Sequence, residues 1–190
     1  MENLTDAQLI ALYAEGNHKA FDGLINRHSQ AIYRFTLKLL GNSDEARDAT
    51  QEAFIKAWKH IDRFDTSKNF KTWIFSIAKN GAIDKLRKNK SVNFSSLDDE
   101  KNIFDANIPD DQLLPNEIFE RNENIEIIKN ALGSIPFDQK TVILLHNGEE
   151  MTFEEISEVL SKPMNTVKSQ YRRALISLRK YIESQNAPKP

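Results

Sequence analysis

The segment NTVKSQYRRALISLRKYI (165–182) carries Lys168, Arg172, Arg173, Arg179 and Lys180 and no acid, in a chain whose net charge is −2. Guanidinium and ammonium groups crowded on one short stretch can donate to phosphate oxygens and to the acceptor edge of guanine. At about 100° per residue, Val167, Tyr171, Ala174, Leu175 and Leu178 share one helix face. Lys168, Ser169, Arg172, Arg173 and Lys180 fall around the other. The pattern predicts a helix that packs by one side and presents bases on the opposite side, with Asn165 or Thr166 placed to cap its start.

The elements upstream fit that role. Thr152-Phe153-Glu154-Glu155 has the form of a capping box, and Phe153, Ile156, Val159 and Leu160 supply an apolar stripe behind it. Ser161-Lys162-Pro163 follows, with Pro163 pushing Lys162 out of helical geometry. Before these, PFDQKTVILLHN (136–147) predicts a further helix, with Pro136 in its first position and Gly148 stopping it. A short helix, a tight turn and a basic helix make a helix-turn-helix, whose second helix enters the major groove. A helical hairpin with a solvated basic face would give the same periodicity. The missing acids, the capping box and the proline-bearing turn together favour DNA binding.

A second constellation lies in the first half. In ARDATQEAFIKAWKHI (46–61), Ala46, Ala49, Ala53, Ala57 and Ile61 line one side of a helix, with Phe54 and Trp58 at its shoulder. Asp48, Gln51, Glu52, Ile55 and Lys59 line the other. Ile55, apolar amid acids, either buries under a neighbour or awaits a partner. The two-sided pattern suggests a docking helix with an anionic contact surface. Next, RFDTSKNFKTWIFSIAKNGAIDKLRKNK (63–90) has two apolar stripes, one of Phe70, Trp73, Ile74 and Ile77, the other of Phe75, Ala82, Ile83 and Leu86. A helix apolar on two sides belongs at the centre of its domain. It ends in the basic run LRKNK, which the helix dipole accounts for in part. Phe70 and Trp73, set beside Lys71, either stack on unpaired bases or are simply core.

Other chemistry finds little support. The chain has no cysteine, and His18, His28, His60 and His146 have no metal-ligand spacing. No phosphate loop and no nucleophile–base signature is present, so no catalytic residue, cofactor, metal or small-molecule substrate is expected. No apolar run approaches a membrane span and the N-terminus has no signal-peptide pattern, so a cytoplasmic protein without membrane insertion is expected.

Helical period dominates, and the expected fold class is all-α. Charge divides the chain. Residues 79–90 are net +4, residues 91–124 net −7 and residues 162–190 net +6. The acidic stretch contains Pro109 and Pro115 and lacks clear period until about Glu117. It reads as a linker (91–124) between two small helical domains, 1–90 and 125–185. Two basic surfaces across such a joint suggest a DNA clamp with two contact points.

DATQEAFIKAW, FKTWIFSIAKNGAIDKLRK and IPFDQKTVILL…MTFEEISEVLSKPMNTVKSQYRRAL, in this order, resemble the extracytoplasmic-function (ECF) sigma factors of bacterial RNA polymerase. The opening DAQLIALYAEGNHKAFDGLINRH is similar to that family's first two helices. The resemblance implies that the domains correspond to sigma regions 2 and 4, without enzymatic chemistry of their own. It implies that Asp48, Gln51, Glu52 and Ile55 dock on the β′ clamp coiled coil of core polymerase, and that the β flap and promoter DNA are further partners. Lys71, Trp73, Asn80, Arg87 and Lys88 would engage the −10 element, with loop 62–70 taking a flipped base. Lys168, Ser169, Arg172 and Arg173 would read the −35 element. The family often pairs with an anti-sigma factor.

Some positions depart from the family pattern. Gln170 stands where Arg is common, a change that weakens a phosphate contact or alters sequence preference, and Asn165 stands where Gly is common. Gly81 sits mid-helix at about 1 kcal/mol relative to Ala, and loop DTSKNF differs in detail. The competing reading is a conventional helix-turn-helix regulator that binds duplex DNA unaided, its N-terminal half sensing a ligand or dimerising.

Overall fold

Several helix starts in this protein are set by side chains that satisfy orphan amides. In the computed structural model, which describes residues 4–92 and 126–186, Thr5 and Gln8 cap one another reciprocally at 2.8 and 3.3 Å and open α1 (Asp6–Ala14). Helix α2 (Ala20–Leu40) stops at Gly41, whose φ of 78° is the left-handed conformation that favours glycine. One residue later the Asn42 carboxamide oxygen accepts from the Asp44 and Glu45 amides at 2.9 and 3.0 Å and starts α3 (Ser43–His60). A 3-10 turn (Ile61–Arg63) and a loop lead to α4 (Phe70–Val92). Residues 126–133 form α5, followed by α6 (Phe137–Ile143), a π-turn (Leu144–Gly148), α7 (Phe153–Leu160) and α8 (Met164–Asn186). Among the described residues there is no strand, as the helical period predicts.

Helices α2 and α3 pack on each other and on α4, and α1 packs on α2. Phe35 of α2 meets Phe75 of α4 edge-on at 5.1 Å, both rings sealed from solvent. Burial of such a side chain stabilises by roughly 1.5–3 kcal/mol. The seam between α2 and α3 is closed by small residues, Ala46, Ala49 and Ala53, which let the two helices approach. In the second half α8 packs on α6 and α7 through Val167 and Ala174, both fully buried. The two halves are docked together: α4 lies against α7, and α2 against α6 and the π-turn, so that one buried apolar cluster runs through both.

Several local expectations are corrected. Pro136 is the N-cap of α6, one position before its first turn, and the helix ends through the π-turn, with the left-handed residue at Glu150 (φ 55°), not at Gly148. Asn165 and Thr166 lie inside α8, because the Pro163 carbonyl already accepts from the Thr166 and Val167 amides. Leu175 is 44% exposed: it lies off the packed line, which runs through Ala174 and Leu178. Trp58 is 52% exposed while its partner at the shoulder, Phe54, is buried. Helix α4 continues two residues past the expected end at 90, to Val92. The acidic linker otherwise lies outside the described residues.

Candidate nucleic-acid interface

Three surfaces carry the residues singled out from sequence. On α3, the backbone of small buried residues turns Asp48, Gln51, Glu52 and Ile55 outward along one stripe, all exposed, with Ile55 at 51%. Trp58 extends the same stripe. Sequence reasoning missed what faces them. Lys85 of α4, part of the basic run, turns back to Glu52 at 3.3 Å and Asp48 at 3.8 Å. Its side chain keeps only 18% of its exposure, so this pair is better sheltered than a typical surface pair. Beside it is a cavity of about 310 Å³ lined by Glu45, Lys56, Gly81, Asp84 and Lys88. A Cβ built on Gly81 would meet nothing within 4 Å.

The second surface is the start of α4 and the loop before it. Phe64, Phe70 and Trp73 form an aromatic cluster, with ring centroids 4.8 Å apart for Phe64–Trp73 and 5.7 Å for Phe70–Trp73. Phe70 is 2% exposed, packs on His28 at 5.5 Å, and is core; Trp73 stays half-buried. Asp65 folds the loop by accepting from the Ser67 amide and hydroxyl at 3.0 and 2.7 Å, and those bonds hold its carboxyl below the usual range. The Asn69 carboxamide accepts from the Lys71 amide at 2.8 Å and caps α4. Between this loop and α1 opens a pocket of about 560 Å³, lined by Thr5, Asp6, Arg27, Phe64, Ser67 and Lys68, among others. Its α1 wall is pinned by Asp6, which pairs with Arg27 and lies 2.7 Å from His28 Nε2. Burial pushes the Asp6 carboxyl up, but the bonds and charges of His28 and Arg27 together outweigh it and hold it low.

Trp73, Asn80 and Arg87 recur every seven residues and so share a stripe along α4. Asn80, Arg87 and Lys88 are exposed, and Arg87 pairs with Asp84 at 3.1 Å. Lys71 is different. Its ammonium reaches across to the Glu149 carbonyl of the second half at 2.6 Å. Burial there pushes the Glu149 carboxyl up, with Lys71, Arg34 and Lys38 pulling the other way.

The third surface is the first half of α8. Lys168, Ser169, Arg172 and Arg173 all stand exposed together, while Val167 and Ala174 anchor the opposite side. Thr152 and Glu155 close the predicted capping box on α7, the Thr152 amide donating to Glu155 at 2.8 Å. Ser161 takes a left-handed conformation (φ 51°) to make the turn. Gln170 does not join the outward face. Its amide nitrogen points inward to Asp138 at 3.5 Å, and Asp138 also pairs with Lys162. Behind α7, His146 stacks on Phe153 at 4.5 Å, and its Nδ1 lies 2.8 Å from the Met151 carbonyl. Among the described residues no group of His, Asp or Glu is arranged to hold a metal ion, and no helix is long and apolar enough to cross a membrane.

Two helical domains, one with an exposed anionic stripe on α3 and a pocket walled by Phe64 and Phe70, the other with a helix-turn-helix, fit a sigma-70 type of protein, and comparison agrees. The family model for Sigma-70 region 2 matches residues 24–92, and that for Sigma-70, region 4 matches residues 125–178. The chain is 33% identical over 171 residues to the ECF RNA polymerase sigma factor SigW of Bacillus subtilis, covering 88% of this chain and 91% of that protein. It is 30% identical over 196 aligned positions to the ECF RNA polymerase sigma-E factor of Haemophilus influenzae, covering 98% of each. The chain belongs to the ECF RNA polymerase sigma factors. In fold it is similar to the sigma factor RpoE of Bartonella quintana, solved in complex with the anti-sigma factor NepR, at a TM-score of 0.70 and 24% identity over 87% of this chain and 98% of that one.

Proposed function

We propose that this sigma factor binds core RNA polymerase through α3 and directs it to promoters by reading two DNA elements, contributing recognition rather than bond-making chemistry. The observation that carries the reading is the simultaneous exposure of two unlike surfaces: Asp48, Gln51, Glu52 and Ile55 on α3, and Lys168, Ser169, Arg172 and Arg173 on α8. The first suits a basic protein helix pair, the β′ clamp coiled coil; the second suits the major groove of the −35 element. A conventional regulator has no use for the first.

The −10 element is then held along Trp73, Asn80, Arg87 and Lys88, with Lys71 joining once it is released from Glu149. The pocket beside Phe64 and Ser67 is large enough for one base, and taking a base out of the stack keeps the strands apart. Arg27 and Lys68 on the rim suit the phosphates on either side of it. Region 4 would also rest on the β flap. An anti-sigma partner is suggested by the solved structure of RpoE from Bartonella quintana, which is in complex with the anti-sigma factor NepR.

The test is run-off transcription with sigma-free bacterial core polymerase on a pooled library of promoter fragments. Wild type should create discrete start sites, and the D48A/Q51A double variant should abolish them while still folding. If no start sites appear and the protein alone shifts specific duplex DNA, polymerase docking is excluded and the conventional-regulator reading replaces it.

A further inference from the structure

We propose that Gln170 is a positioning residue for −35 recognition: from the inner side of α8 it holds the recognition helix to Asp138, and so sets the roll at which Ser169 and Arg173 meet the base edges. This rests on the assignment of α8 to the −35 element made above.

Helix α8 is anchored by Val167 and Ala174, both fully buried. Apolar packing is non-directional, so these anchors resist separation of the helices better than rotation of α8 about its own axis. Rotation is governed by what stands on either side of them. At about 100° per residue, Gln170 and Tyr171 lie roughly 50° to the two sides of the line through Val167 and Ala174. On one side Tyr171 meets His146 edge-on at 4.8 Å and Phe153 at 5.3 Å. On the other, Gln170 Nε2 donates to Asp138 Oδ2 at 3.5 Å. Asp138 is itself held, because Thr141, Val142 and Ile143, which follow it in α6, are buried.

The aromatic side is closed on two rings; the polar side is incomplete. Asp138 Oδ2 also accepts from Lys162, in the turn before α8. An ammonium is the stronger donor to a carboxylate, so Gln170 is left at the limit of a hydrogen bond. Its Oε1 is buried and has no hydrogen-bond partner among the described residues, as is also true of Oε1 of Gln139, next to Asp138. A buried acceptor without a donor costs stability, and a methionine would fill the same space without that cost. Polarity at this position therefore gives up stability, and what it brings is a directional contact that apolar packing lacks. Arg173 stands one turn further on the same side and is exposed, as is Ser169. An atom about 6 Å from a helix axis moves about 1 Å for a roll of about 10°. That exceeds the roughly 0.5 Å spread of good hydrogen-bond lengths, so a small roll changes which base edge Arg173 reaches.

The test uses the holoenzyme, core polymerase with the full chain, transcribing a pool of promoters in which each −35 position is varied. The readout is the ratio of transcript from each altered −35 element to that from the preferred one, so a loss of active protein cancels. Gln170→Met, with Gln170→Ala as a second truncation, should change the ratio at one or two −35 positions by about fivefold or more and leave −10 preferences as they are. Asp138→Ala, made behind the helix, should change the ratios at the same positions, and D138A/Q170M should do no more than either change alone. Gln170→Arg, which can still donate to Asp138, should keep the wild-type ratios within about twofold. Unchanged ratios in Q170M and Q170A would overturn the proposal and leave Gln170 a packing residue. Altered ratios in Q170M beside unaltered ratios in D138A would also overturn it, because Gln170 would then touch the DNA itself. A wild type that starts at no promoter would defeat the sigma reading and the proposal with it. A wild type that initiates, with ratios independent of Gln170, defeats the proposal alone.

Discussion

Thr36 Oγ1 and Thr50 Oγ1 lie 3.1 Å apart in the sealed seam between α2 and α3, and both hydroxyls converge on the Ala46 carbonyl, at 3.2 and 2.7 Å. Thr36 is fully buried and Thr50 nearly so. Thr36 also lies 3.0 Å from the Ile32 carbonyl, so loss of Thr50's hydroxyl leaves no orphan. Thr50→Val should therefore cost only about 1 kcal/mol. T36V/T50V should cost less than the sum of the single changes, since the two hydroxyls act as a pair. Urea unfolding of the three variants measures this; strict additivity would separate the two groups.

Acid should loosen α1 first. The Asp6 carboxyl is held below its ordinary value of 3.8 in the folded state. Its contribution is thus complete above about pH 3.8 and is lost as pH falls through the lower folded value. Asp6→Asn removes that contribution, and at neutral pH it also weakens the tie to Arg27 and His28. Far-UV circular dichroism against pH should show an early, partial transition in wild type below about pH 3.8. In the variant that transition should shrink, and an unchanged acid profile would show that Asp6 does not hold α1.

Gly81 offers a clean substitution. It lies inside α4, its added Cβ would touch nothing, and glycine in a helix interior costs about 0.5–1 kcal/mol relative to alanine. Gly81→Ala should raise stability by that amount, read as a higher denaturation midpoint. If core-dependent transcription falls while stability rises, the cavity beside Asp48 and Glu52 is occupied in the polymerase complex. If both are undisturbed, the glycine has no functional part.

Arg173 and Lys168 should separate by kind of contact. If Arg173 reads a base, Arg173→Ala should cost roughly 1–3 kcal/mol on cognate −35 DNA and relax selectivity at one position. Lys168→Ala should weaken all sequences alike and reduce the salt dependence, as a phosphate contact does. Binding of both variants to a permuted −35 library at two salt concentrations distinguishes them. A uniform loss with Arg173→Ala would make it a phosphate contact.

What could be read from sequence depended on distance along the chain. The outward set Lys168, Ser169, Arg172 and Arg173, and the stripe Asp48, Gln51, Glu52 and Ile55, follow from helical period alone, because each faces away from a local apolar stripe. Leu175 defeats the same logic: period assigns it to the apolar face, but the packed line passes through Ala174 and Leu178 and leaves it exposed. Gln170 could be compared only with a pattern, whereas its partner Asp138 is set by tertiary packing. Cap positions slipped by a residue or two, as at Pro136 and Asn165, where several amides compete for one start. The two apolar sides of α4 were visible; the helix of the second half that packs on it was not. That neighbour, α7, lies some eighty residues on, as the Lys79–Val159 bond shows, and no local period encodes it.

Helices α2 and α3 are joined by only Gly41 and Asn42, and the packing among α1, α2, α3 and α4 is made entirely within the chain's first half. Loops this short close quickly, and domains fold as they emerge during synthesis. Region 2 is therefore complete on the ribosome before α7 exists. At about 5–20 residues per second, the ~70 residues from the end of α4 to the end of α7 take roughly 3–14 s to make. For that interval each newborn molecule holds Lys71, Thr72 and Lys79 without the bonds to Glu149, Glu158 and Val159 that they make in the finished fold.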